Sequence, residues 1–283
     1  MRPSEIFRKK HELWLSMLFG ALSVENDEIC NLIYDFSMIE FRHLKWFGQK
    51  LAKENIEISF DRGEIKYRAD TNFDLIKQLI ANIDAVKEMY ENEGDPLFRR
   101  FVTDENYFIT KLYLLLRDEK NDALIKAFDK SRKLPGIELD EIQTDALTMF
   151  LFEESYKEYE LILVYLYVDF YTDDKELSDI FKDLIDESFY HLKSFARMMS
   201  KMGILSVPRV VMEKIYKFED LEKFLIDGIE EEEKAKIECK KLSEAVSNED
   251  LSRFFDFINY QENYHIELMK RALEKSQRGE GVV

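Results

Sequence analysis

Three of the four histidines follow a carboxylate at helical spacing: His43 after Glu40, His191 after Glu187, and His265 after Glu262. At 3.6 residues per turn, a separation of three or four places both side chains on one helix face. A carboxylate oxygen beside an imidazole nitrogen is a ligand pair for a first-row divalent metal, iron or manganese, rather than for the softer ions that seek thiolate. Any one pair taken alone also reads as a solvated acid beside a hydrogen-bonded core histidine. What separates the two readings is whether several helices carry such residues to one point.

The elements available for that task are helices. Only 9 Gly and 4 Pro punctuate 283 residues, and apolar residues recur at spacings of three, four and seven through most of the chain. This pattern predicts eight main helices, near 3–21, 26–54, 72–92, 96–118, 144–170, 174–202, 217–246 and 248–276. The clearest strand signal is Ile56 to Phe60 and Glu64 to Arg68 around Asp61-Arg62-Gly63, which predicts a small hairpin. A net charge of −17 argues against a nucleic-acid or anionic-membrane partner, because phosphate binding needs a basic face. Cys30 and Cys239 are the only cysteines, too few for a disulfide framework or a four-cysteine metal site, which fits a reducing compartment. There is no run of about 18 uncharged apolar residues, and the N-terminus lacks the apolar stretch of a signal peptide. A cytoplasmic location is expected.

The chain repeats itself. Residues 11–47 fall on 159–195 without a gap, with 11 of 37 pairs identical, among them Asp35/Asp183, Phe41/Phe189, His43/His191, Leu44/Leu192, Lys45/Lys193 and Phe47/Phe195. A second match, at an offset of 157, pairs Glu105-Asn106-Tyr107 with Glu262-Asn263-Tyr264. An internal duplication of a four-helix unit is expected, with 1–120 as the first unit, 121–143 as a linker and 144–283 as the second unit. Within each half a long connection, about 55–71 and 203–216, joins the second helix to the third. A helix of about 28 residues spans about 42 Å and about 14 extended residues reach about 46 Å, so a crossover along the bundle is feasible.

Several carboxylates of the second half interrupt apolar stripes. Glu232 shares a face with Leu221, Leu225, Gly228, Ala235, Cys239 and Leu242; Glu262 and His265 follow Leu251, Phe255 and Ile258. Leu147 and Leu151 lead to Glu154, Glu158 and Leu161, while Leu177, Phe181 and Leu184 lead to Ser188 or Glu187 and then His191. A lone carboxylate on an apolar stripe is expensive to bury without a cation or partner. Each of the four helices of this half therefore offers an inward ligand.

On these residues the chain resembles the ferritin-like superfamily, and within it rubrerythrin-related di-metal carboxylate proteins. The resemblance implies an all-α fold of two tandem four-helix bundles, each with a long crossover between its second and third helices. The family pattern is a Glu on the first helix, Glu-x-x-His on the second, a Glu on the third, and Glu-x-x-His or Glu-x-x-x-His on the fourth. It maps onto Glu154, His191 with a displaced Glu187, Glu232, and Glu262 with His265. Ser188 stands where the pattern has the bridging Glu. The first half keeps Glu40, His43 and Glu105 but has Phe108 in place of the second histidine, with Ile6 and Lys10 aligned on Glu154 and Glu158, so that a vestigial site is expected there. The implied cofactor is iron, up to two ions per site, or manganese.

The resemblance further implies an oxidoreductase of the rubrerythrin-like peroxidase or ferroxidase type, supplied by an electron-donor protein because the chain has no four-cysteine electron-transfer module of its own. Self-association into a homo-oligomer fits the same reading. Two alternatives stand beside it: an iron-handling module without turnover, favoured by Ser188, and a metal-free scaffold, favoured by the departures of the first half.

Overall fold

A computed structural model of the chain describes residues 2–217 and 220–278. Positions 218–219 of the seventh expected helix and 279–283 of the second expected unit lie outside the described residues. The chain divides into two compact units, Met1–Asp129 with Leu205–Val210, and Lys130–Ile204 with Val211–Val283.

In the first unit, four main helices, α1 (Pro3–Ser23), α2 (Asp27–Lys53), α3 (Asn72–Lys87) and α4 (Pro96–Leu115), carry the core. Helix α1 packs on α2 and α3, and α4 packs on α3 and α2. Trp14, Leu15, Leu18, Ile33, Leu44, Leu79 and Phe101 are fully buried between them. In the second unit α5 (Glu141–Tyr171), α6 (Lys175–Lys201), α8 (Leu221–Ala245) and α9 (Glu249–Gln277) pair in the same pattern, with α7 (Glu213–Tyr216) a single turn against α5.

The local grammar of α2 and α6 is the same. Asn26 and Asp174 cap their N-termini by accepting from the amides of Ile29 and Leu177 at 3.0 and 2.8 Å. Both helices end at a residue in the left-handed region, Asn55 (φ 54°) and Gly203 (φ 72°). The amides that follow reach back to form a Schellman closure, Ile56 N to Leu51 O at 2.9 Å and Ile204 N to Met199 O at 3.0 Å. Bounds, caps and stops of the two helices coincide under the 148-residue offset of the sequence repeat.

The hairpin expected at 56–68 is absent. Among the described residues no β-strand forms, and the one bridge joins Thr71 to Leu124. An isolated two-stranded ribbon is marginal in water, and this segment gains more by laying its apolar residues on α1. Phe60 meets Phe7 and His11 at ring distances of 5.9 and 5.4 Å, Gly63 donates its amide to Glu12 at 2.7 Å, and Tyr67 meets Phe19 at 6.1 Å. The contacts advance in order along both segments, so the connection runs beside α1.

The stretch expected as a linker, 121–143, is also engaged. Ile125 donates to Asp70 O and Asn72 to Ala123 O, both at 2.9 Å, within the first unit. Leu134 enters the core of the second, beside Leu147, Met202 and Phe255. No described helix is long and apolar enough to cross a membrane.

Candidate metal centre

The second unit gathers its charged core residues midway along α5, α6, α8 and α9. His191 on α6 and His265 on α9 are 0% and 1% exposed, and their ring centroids stand 6.4 Å apart. Glu262 lies between them: Oε1 is 3.4 Å from Nδ1 of His191, and Oε2 is 3.4 Å from Nδ1 of His265. Each imidazole has a further carboxylate at the same nitrogen, Glu158 at 2.9 Å from His191 and Glu232 at 3.6 Å from His265. The side chains of Glu158, Glu232 and Glu262 are 6%, 13% and 7% exposed.

The acids of this cluster are balanced chiefly by protonated imidazoles. Among the described residues no lysine or arginine nitrogen pairs with Glu158, Glu232 or Glu262. Burial would strip the protons from the imidazoles, but the acids around them outweigh it: Glu158, Glu262 and Glu232 push His191 up to about 10. Glu232, Glu262 and Glu158 do the same for His265, to about 9. Burial, reinforced by Glu262 and Glu158, holds the proton on Glu232, which shares a hydrogen bond with Glu262; against its own burial, Glu262 is held ionised by the two histidines. The cluster thus balances its charge with protons at the places where a divalent ion would sit.

Three buried polar atoms of this cluster are orphaned. Nε2 of His191 and Oε2 of Glu158 are buried without a hydrogen-bond partner, as is the hydroxyl of Ser188, one turn before His191. A buried polar atom left unmade costs about 1–3 kcal/mol. Oγ of Ser188 and the second oxygen of Glu158 are therefore ready for a ligand or water. The ring of His265 is held from behind, its Nε2 3.4 Å from the hydroxyl of the buried Tyr165.

The sequence-derived set is only partly assembled. His191, Glu232, Glu262 and His265 come together, and the ligand atoms of His191, Glu262 and His265 lie within 4.8 Å of one another. Glu154 stays at the rim, bound to Lys157 at 2.8 Å, with burial pushing its carboxyl up to about 7 against that lysine. Glu187 does not join: it is half-exposed on the flank of α6, while Ser188 takes the inward position at 0% exposure. Glu187 and Ser188 flank the direction of His191 on opposite sides, about 40° and 60° away, and the packing of α6 turns the Ser188 side inward.

Glu158, rather than the Glu154 that the resemblance implies, is the α5 carboxylate that meets His191. The signal was present in the stripe itself: Leu147, Leu151, Ser155, Glu158, Ile162 and Tyr165 are all buried and continue one face of α5. Leu161, expected on that face, is only half-buried.

In the first unit Glu40, His43 and Glu105 also converge, with ligand atoms within 4.8 Å of one another. Lys10, 0% exposed, stands among them, paired with Glu40 and with Glu105, the latter at 2.8 Å. His43 turns its other nitrogen, Nε2, to Asp104 at 3.0 Å. The third helix adds no acid, since Leu75, Leu79 and Ile83 fill its inner face and Asp84 is 45% exposed. No protein-family model, curated protein or solved structure matches the chain.

Proposed function

We propose that the second unit is a ferritin-like four-helix bundle, rubrerythrin-related in plan, that binds up to two iron or manganese ions and acts as an oxidoreductase toward peroxide or ferrous iron. The observation that carries the metal reading is Glu262, one buried carboxylate facing Nδ1 of two histidines from different helices. Glu158, His191 and Glu262 would hold one ion, and Glu232, His265 and Glu262 the other. The identical pairing of helices in the two units and the connection running beside α1 support the bundle-with-crossover plan.

Two ferrous ions held by Glu158, His191, Glu232, Glu262 and His265 would supply the two electrons that, with two protons, reduce peroxide to two waters. The chain's own residues prepare the site. Loss of the protons on His191, His265 and Glu232 frees their ligand atoms for a cation. Tyr165 fixes the ring of His265, and buried Phe195, its ring 6.0 Å from that of His191, and Met269, beside Tyr165, limit water.

Metal analysis of protein made with iron and manganese supplied tests this first, and peroxide consumption by the Fe(II)-loaded protein tests it second. The expected results are up to two ions per chain and turnover that Glu262→Ala with His265→Ala removes. Metal without turnover supports the second reading, an iron-handling module, which Ser188 in the bridging-carboxylate position favours. Absence of metal under both supplies would leave only a scaffold.

A further inference from the structure

The polar centre of the first unit differs from that of the second in what balances its acids. Nζ of Lys10 is buried against Glu40 and Glu105 and lies 3.4 Å from both Nδ1 of His43 and the hydroxyl of Tyr90. The ring of Phe101 closes one side at 4.8 Å. Under the 148-residue offset Lys10 takes the position of Glu158 and Glu40 that of Ser188, and under the 157-residue offset Glu105 takes that of Glu262. In the first unit, therefore, a cationic side chain stands where the second has an acid, and an acid stands where the second has a serine.

The charges track that exchange. In the first unit two buried glutamates face one ammonium, whereas three glutamates of the second face none. Oε2 of Glu105 is buried without a hydrogen-bond partner and Oε1 of Glu40 faces Nδ1 of His43 at 3.3 Å, so oxygen capacity remains at the centre beyond what the ammonium uses.

We infer that Lys10 is the resident cation of the first unit: its ammonium stands in for a divalent ion among Glu40, His43 and Glu105, closes that centre to metal, and conceals a latent site for one first-row divalent ion. An ion within ligand distance of these oxygens would press against the ammonium in a medium that screens poorly, so the two cations exclude each other. The first unit then folds independently of metal supply. This inference concerns residues outside the proposed centre of the second unit and does not depend on it.

The test uses the full chain with Glu262→Ala and His265→Ala, which silences the second unit, and Co(II) as the probe. With Lys10 intact, no visible d–d absorption and no retained cobalt are expected. Lys10→Glu, which restores the acid found at Glu158, should bind about one equivalent, raise its melting temperature with added cobalt, and lose both effects when His43→Ala is added. Lys10→Ala should bind more weakly at the same place. Uptake by the Lys10-intact protein that His43→Ala removes would overturn the inference. So would folded Lys10→Glu and Lys10→Ala proteins that take up none. If these variants do not fold alone, refolding with Co(II) decides: helical signal recovered only with the ion supports the latent site, and no recovery counts against it.

Discussion

At the scale of single residues, Glu262 and Ser188 set the terms of the proposed centre. Glu262 faces both histidines, but the place for a second bridging carboxylate is held by Ser188, whose hydroxyl is buried without a partner. Ser188→Glu should therefore lower the stability of the metal-free protein, since an unpaired buried charge costs several kcal/mol. It should also enlarge the gain in denaturation midpoint on adding Mn(II) or Fe(II), because a ligand that binds only the folded state stabilises it. Destabilisation with no extra metal-dependent recovery would show that position 188 does not face the ion. The two imidazoles give a pH test. Their folded-state pKa values, about 10 for His191 and about 9 for His265, lie above the ordinary 6.5. Their contribution to metal-free stability is complete below pH 6.5 and is lost as the pH rises toward 10. Urea midpoints of the metal-free protein at a series of pH values should fall over that window, while apparent Mn(II) affinity rises as competing protons leave. A midpoint flat between pH 6.5 and 10 would remove the imidazolium pairs from the account.

At the scale of elements, the connection beside α1 is part of the core of the first unit. Phe60 is 1% exposed and packs on Phe7 and His11. Phe60→Ala should cost about 3–5 kcal/mol, a loss read directly by chemical denaturation, whereas an ordinary surface loop would tolerate the change within about 0.5 kcal/mol. The period-two signal at 56–68 was genuine as a sign of alternating burial, and Ile58 and Phe60 are indeed both buried. The hydrogen-bonding partner that would make it a strand was not encoded nearby. Helix α1 offered an aromatic surface, and the segment stayed extended without a ladder.

At the scale of the whole chain, the proposed centres divide the labour unequally. Added Mn(II) at about 100 times its dissociation constant should stabilise the second unit by about 2.7 kcal/mol, visible as an upward shift in its thermal transition. Glu262→Ala with His265→Ala should abolish that shift. Glu40→Ala with His43→Ala should leave it intact while destabilising the first unit, because Lys10 would lose one of its two buried counter-charges. Equal loss of metal from both double variants would contradict the assignment.

The sequence by itself determined the helices, their approximate ends and the matching register of α2 and α6, because amphipathic periodicity, caps and stops are written within a few turns of each residue. It also singled out His43, His191, Glu232, Glu262 and His265 as polar interruptions of apolar faces. The tertiary structure alone put Glu158 in the place expected of Glu154, turned Glu187 out and Ser188 in, and brought Lys10 to Glu40 and Glu105 across 30 and 95 residues of chain. Helical spacing defines a face only to within a fraction of a turn. Which side of that face meets the neighbouring helices, and which charge they bring to it, depends on packing between segments far apart in sequence.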